Sequence, residues 1–119
     1  MFSALLDSIV NKVEGIRAAV IMGMDGIAIE KRNLDEAANV ESLAAEYTTA
    51  LRLSSSSTQE VGLGTLEEYI ISTDSRTIVI RMITSDYFVL LLLAKDGNIG
   101  RARFELKKAK VLLAKEFAF

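Results

Sequence analysis

Between Val13 and Glu30 the chain reads Val-Glu-Gly-Ile-Arg-Ala-Ala-Val-Ile-Met-Gly-Met-Asp-Gly-Ile-Ala-Ile-Glu, and no other stretch restricts the available folds as much. An amphipathic segment leads into it, with Phe2, Leu5, Leu6, Ile9 and Val13 at helical spacing and Asp7, Asn11, Lys12 and Glu14 on the other side. Gly15 is placed to stop that helix in a left-handed conformation. Two apolar runs then flank Asp25-Gly26, a pair that tolerates the positive φ of a tight primed turn. The expectation is a helix followed directly by a β-hairpin, with strands over 18–24 and 27–30. The first of these strands is apolar on both faces, as in a sheet covered on both sides.

Residues 31–38 read as a polar loop, and Asn39 as the N-cap of a second helix over about 40–61. In that helix Val40, Ala44, Tyr47, Leu51, Ser54, Thr58 and Val61 fall in one stripe, expected to face the sheet. Leu43, Ala50, Leu53 and Ser57 form a flank beside it, making an arc wider than one sheet contact requires. Residues 54–58, Ser-Ser-Ser-Ser-Thr, have the composition of a flexible linker. Read as helix, the same small side chains let another helix approach closely, and this is the preferred reading. Gly62 and Gly64 end the helix.

Three strands follow, over 65–73, 77–84 and 87–94, with turns at Asp74-Ser75 and Ser85-Asp86; such short connections favour antiparallel neighbours. Phe88 to Leu93 has no polar alternation and is expected to be central. Asp96-Gly97-Asn98 leads into a last helix with Ala102, Leu106, Ala109, Leu113 and Phe117 inward, and Arg101, Lys108 and Lys115 outward. The order αββαβββα predicts a three-layer α/β sandwich: a five-stranded antiparallel sheet with one long helix on one face and two helices on the other.

Half of the 119 residues are hydrophobic and 25% are charged, which suits one soluble domain over 1–119 with a single core. The chain has no Cys and no His, which removes disulfides, Cys/His zinc sites, Cys nucleophiles and Ser-His-Asp triads. A net charge of −2 gives no general attraction to nucleic acid or anionic lipid. The charge is uneven, since residues 101–119 carry six Lys/Arg against two Asp/Glu. Such a face is solvated or steers an acidic partner. No apolar run approaches the roughly 20 residues of a membrane span, and no secretory leader is evident, so the expected compartment is the cytoplasm, without membrane insertion.

Residues that could carry chemistry have plainer explanations. Gly62-x-Gly64 follows a helix and precedes a strand, the reverse of a phosphate-binding loop, and no Gly-x-x-x-x-Gly-Lys-Ser/Thr sequence occurs. Glu67 and Glu68 are adjacent on a strand and point to opposite faces, so they cannot flank one bond together. Arg81, among Ile78, Val79, Ile80, Met82 and Ile83, needs a carboxylate or a route to water. Arg52 has the type of an arginine finger but reads as an ordinary solvated side chain. Tyr47 is first a core residue. No catalytic residue, cofactor or metal is expected. The third strand, if at the sheet edge, must have its free backbone groups covered or joined to another chain.

The chain resembles the roadblock family of dynein light-chain-like domains, which also includes bacterial polarity regulators and lysosomal scaffold subunits. The likeness rests on Leu5-Leu6, Val13-x-Gly15-Ile16, Met24-Asp25-Gly26-Ile27-Ala28-Ile29, the Ala/Ser-rich helix and Tyr87-x-Val-Leu-Leu-Leu-Leu93, in that order. It implies a dimer joined through the long second helices and the third strands, and association with a small Ras-like GTPase as a scaffold or a GTPase-activating regulator. Carried onto this chain, the implied dimer surface comprises Leu43, Tyr47, Ala50, Leu51, Leu53, Ser54 and Ser57, with Leu66, Glu68 and Ile70 on the edge strand. Glu67 and Glu68 would bring like charges together across an antiparallel two-fold pair, so continuous strand pairing needs nearby cations or an offset register. A small-ligand sensor or a general protein-interaction module is the alternative, and an enzyme working through carboxylates or Lys alone ranks behind both.

Overall fold

The computed structural model describes residues 1–35 and 38–117. Helix α1 (Phe2–Lys12) is followed by β1 (Ile16–Gly23), β2 (Ala28–Asn33), α2 (Val40–Glu60), β3 (Glu68–Ser72), β4 (Arg76–Met82), β5 (Tyr87–Ala94) and α3 (Ile99–Glu116). The strands form one antiparallel sheet in the order β2-β1-β5-β4-β3. The two most apolar strands, β1 and β5, are therefore neighbours near its centre. Alternate residues along each point to opposite faces and are buried on both.

One face packs Ala19, Ile21, Val89 and Leu91 against Leu6 and Ile9 of α1 and Leu106 and Leu113 of α3. The other packs Ala18, Val20, Leu90 and Leu92 against Val40, Ala44 and Leu51 of α2. The expected sandwich, with two helices against one, is the one observed. Arg32 fastens the β2 edge to the first helix by donating from Nε to Asp7 at 2.7 Å and from Nη1 to Glu30 at 3.0 Å, with a further bond to the Ser3 hydroxyl. These hydrogen bonds, Asp7 first, hold its guanidinium pKa above the ordinary value.

Several expectations are corrected locally. The Asp25-Gly26 turn is not a primed turn, because Gly26 (φ 85°) has positive φ and Asp25 does not. Gly26 N–H returns to Gly23 O at 2.9 Å, the Asp25 carboxylate accepts from Ile27 N–H at 3.1 Å, and the ladder shifts register between Ile21 and Met22. A single left-handed glycine with a bulge thus replaces two positive-φ residues. Part of the supposed polar loop at 31–38 is strand, since β2 continues to Asn33 where Arg32 is held by α1; Glu36 and Ala37 lie outside the described residues. Strand β3 is shorter than expected and starts only at Glu68. Residues 54–58 are helical, not a linker.

The α1–β1 and β5–α3 connections press against each other. Gly15 has φ 84°, and a Cβ there would lie 2.5 Å from Gly97 Cα. Asn98 N–H donates to Glu14 O at 2.9 Å across the same contact. At Gly26 a Cβ would meet nothing within 4 Å. Gly15→Ala is therefore expected to cost more than about 2 kcal/mol, against about 1 kcal/mol for Gly26→Ala, in urea unfolding of the two variants.

Candidate partner-binding surface

Helix α2 begins where Asn39 Oδ1 accepts from Ser42 N–H at 3.1 Å, as the sequence suggested. Its buried residues are Val40, Ala44, Thr48 and Leu51. Thr48, rather than Tyr47, completes the inward stripe, and its hydroxyl is satisfied by donating to Ala45 O at 2.7 Å. Tyr47 is half-buried beside it. Val61, also expected inward, is 74% exposed, since the helical register ends at Glu60 and Gly62 turns the chain away.

The implied interface residues divide by position. Leu53 is 68% exposed on the outer side of α2, Leu43 and Ala50 are half-buried on its flank, Ser54 is intermediate and Ser57 exposed. Leu51 is 1% exposed beneath the helix, so it supports the surface rather than forming it. Leu66 is half-buried on the α2 face of the sheet, while Glu68 and Ile70 lie on the α3 face, Ile70 being 41% exposed. Val61 and Leu63, both more than 70% exposed, extend the apolar patch past the end of α2. Two apolar residues around Gly62, beyond the reach of the helical period, were the signal that could have placed them outside the core.

Strand β3 pairs with β4 alone among the described residues, which leaves its other side open. Its acidic start is balanced from within the protomer. Glu68 receives both Nε and Nη2 of Arg103 at 2.9–3.0 Å and lies 3.6 Å from Arg81 Nη1; Arg81 Nη2 is 3.6 Å from Glu67. The Arg103 guanidinium pKa is raised by its hydrogen bond to Glu68. Arg81, paired with carboxylates as anticipated, has a side chain 11% exposed and an Nε without a hydrogen bond. The cations that strand pairing calls for are thus present beside the edge.

Arg52 donates to Met24 O at 3.1 Å, tying α2 to the β1–β2 turn. Nearby, an open cleft of about 640 Å³ runs between the second half of α2 and the β1–β2 and β4–β5 turns, lined by Met24, Arg52, Leu66, Met82 and Asp86 among others. Among the described residues no group of three or more Asp/Glu converges as a metal site would, and no helix is long and apolar enough to cross a membrane.

The Roadblock/LC7 domain family matches residues 3–94, and the chain belongs to that family, whose members are generally non-enzymatic regulatory domains. It is 31% identical to MglC from Myxococcus xanthus, with 98% of each chain covered and a TM-score of 0.71. MglB from Myxococcus xanthus has the same fold at 15% identity, with a TM-score of 0.85 over 96% of this chain and 85% of that one. An uncharacterized protein, MJ0310, of Methanocaldococcus jannaschii is 29% identical over 100 residues, 83% of this chain and 85% of its own.

Glu68→Ala would leave Arg81 buried with only the exposed Glu67 beside it. A loss of about 2 kcal/mol is expected in chemical denaturation, against less than about 0.5 kcal/mol for Glu67→Gln.

Proposed function

We propose that the protein is a homodimeric regulator or scaffold of a small Ras-like GTPase, joined through the outer flank of α2 and the free edge of β3, and working in the cytoplasm. The observation that carries this reading is the mismatch between the sheet and its single helix. Five strands about 4.8 Å apart make a sheet roughly 20 Å wide, while a helix with its side chains is about 10–12 Å across. On one face α1 and α3 share the sheet; on the other α2 lies nearest β1 and β2 and its side chains reach β5. The β3 side of that face is closed by Leu66, Tyr69 and Met82, all only half-buried. A second α2 beside the first would cover these residues together with Leu43, Ala50 and Leu53. Tyr47, Ser54 and Ser57 supply the rest of the helix contact, and Leu66, Glu68 and Ile70 the strand contact. The family resemblance supplies the GTPase, for which two adjacent α2 helices offer a platform.

Sedimentation at micromolar concentration is expected to give a dimer, and Leu53→Asp to weaken it at least about tenfold. Because Leu53 is 68% exposed, the variant protomer is expected to keep its stability within about 0.5 kcal/mol. A folded, monomeric wild type overturns the reading. For the partner, wild type and Leu53→Asp used as bait are expected to differ in capture of a small GTPase. Single-turnover GTP hydrolysis then separates activation from scaffolding, and no GTPase enriched by the wild type in either nucleotide state counts against both. The cleft beside Arg52 falls within the size range of small-ligand pockets and favours ligand sensing as the second reading.

A further inference from the structure

Helix α3 lies beyond the residues that match the family and carries a surface the α2 platform does not use. We propose that the outer face of α3 docks on an anionic lipid bilayer. Its inward residues are Ala102, Glu105, Leu106, Ala109 and Leu113, which leaves Phe104, Val111 and Leu112 outside, 54%, 62% and 44% exposed. At 100° per residue Phe104 and Val111 align along the helix and Leu112 lies about 80° round from Phe104, with Lys108 and Lys115 between them and Lys107 on the other side of Val111. Arg101 and Lys108 also stand over the Phe104 ring, at 5.7 and 5.4 Å.

The charge of the helix is mainly positive. The helix holds six Lys/Arg and two Glu. Both carboxylates lie at the Leu112 margin of the apolar arc, Glu116 exposed and Glu105 buried between Arg101 at 3.0 Å and Lys108 at 3.6 Å. Lys107 and Lys115 make no ion pair among the described residues, so their ammonium groups are available to phosphate and carboxylate headgroups. On the adjoining α1, Asp7 is engaged by Arg32. Across the sheet α2 carries Glu41, Glu46 and Glu60 against Arg52, with Lys31 of β2 3.7 Å from Glu41. The molecule is thus polar from face to face, and an anionic surface would attract it with α3 down and α2 away.

A convex arc of apolar side chains interleaved with lysines suits a fluid interface, whose acyl boundary yields to it. An acidic protein would need a preformed groove of the same shape. Lysines near such a surface each contribute measurably, and shallow apolar insertion adds to them. The proposed α2 dimer would set two α3 faces on one side of the joined sheet, and the bivalent form of the contact rests on that reading; the contact of one face does not.

The test is co-sedimentation of the full chain with vesicles of phosphatidylcholine containing about one-third phosphatidylserine, and with phosphatidylcholine alone, at low and at physiological salt. The expected result is adsorption to the anionic vesicles only, weakened by salt. Lys107→Glu with Lys115→Glu should reduce it at least about tenfold, and Phe104→Ser should reduce it at fixed charge. Glu46→Lys, on the opposite face, should leave it unreduced. Circular dichroism confirms that each variant is folded. Leu53→Asp separates the two proposals: a monomer that still adsorbs, more weakly, upholds the α3 contact whatever becomes of the dimer. No adsorption at low salt, or adsorption indifferent to the α3 changes, overturns it. Binding to a Glu-rich helical peptide with none to the vesicles would reassign the face to an acidic protein.

Discussion

The β1–β5 pair is apolar on both faces, and that requirement organises the molecule. A strand such as Phe88 to Leu93 can be buried only if helices lie above and below it, so the chain must supply two helical layers around one sheet. It does so unequally. Leu6, Ile9, Leu106 and Leu113 close one face from two helices, while Val40, Ala44 and Leu51 serve the other from one. The exposed Leu53 and half-buried Leu43, Ala50, Leu66 and Tyr69 follow from that imbalance. The apolar margin is thus a geometric remainder of covering a five-stranded sheet with a single helix, and the proposed dimer is the arrangement that uses it.

The edge of the sheet is prepared in a related way. Two adjacent glutamates at an open strand would ordinarily keep a like strand away. Here Arg103 binds Glu68 with two nitrogens, and Arg81 reaches both carboxylates. The repulsion is drained into the protomer's own α3 face. The same helix that neutralises the edge turns its remaining lysines outward, so α3 links the strand where copies are proposed to meet to the surface proposed to meet a bilayer.

Much of this was legible in the sequence where a pattern is local and periodic. The unbroken apolar run of β5, the Asn39 cap and the stripe of α1 each follow from spacing alone. Features set by distant residues were not. Strand β2 runs on to Asn33 because Arg32 meets Asp7 of α1, a partner that no nearby residue announces. Thr48 lies deeper than Tyr47 beneath α2, at helical spacing from Ala44 and Leu51, and its polar hydroxyl is accommodated there by a bond to its own helix that residue type alone does not announce. In the candidate surface, Leu43, Ala50 and Leu53 stood out as apolar residues beyond the core stripe. Val61 and Leu63 did not, since their direction depends on where Gly62 breaks the helix. That Arg81 needs a carboxylate was evident; that Glu67 and Glu68 both supply it emerged only with the β3–β4 register.

The absence of cysteine permits a direct measurement of whether α2 flanks meet. Spin labels attached to Ser57→Cys on α2, and separately to Lys31→Cys on β2 at the far edge of the sheet, report intermolecular distances by pulsed electron resonance. The account predicts a short, narrow distance for the α2 label and a longer one for the β2 label. No coupling at either position, or the shorter distance at β2, would contradict it.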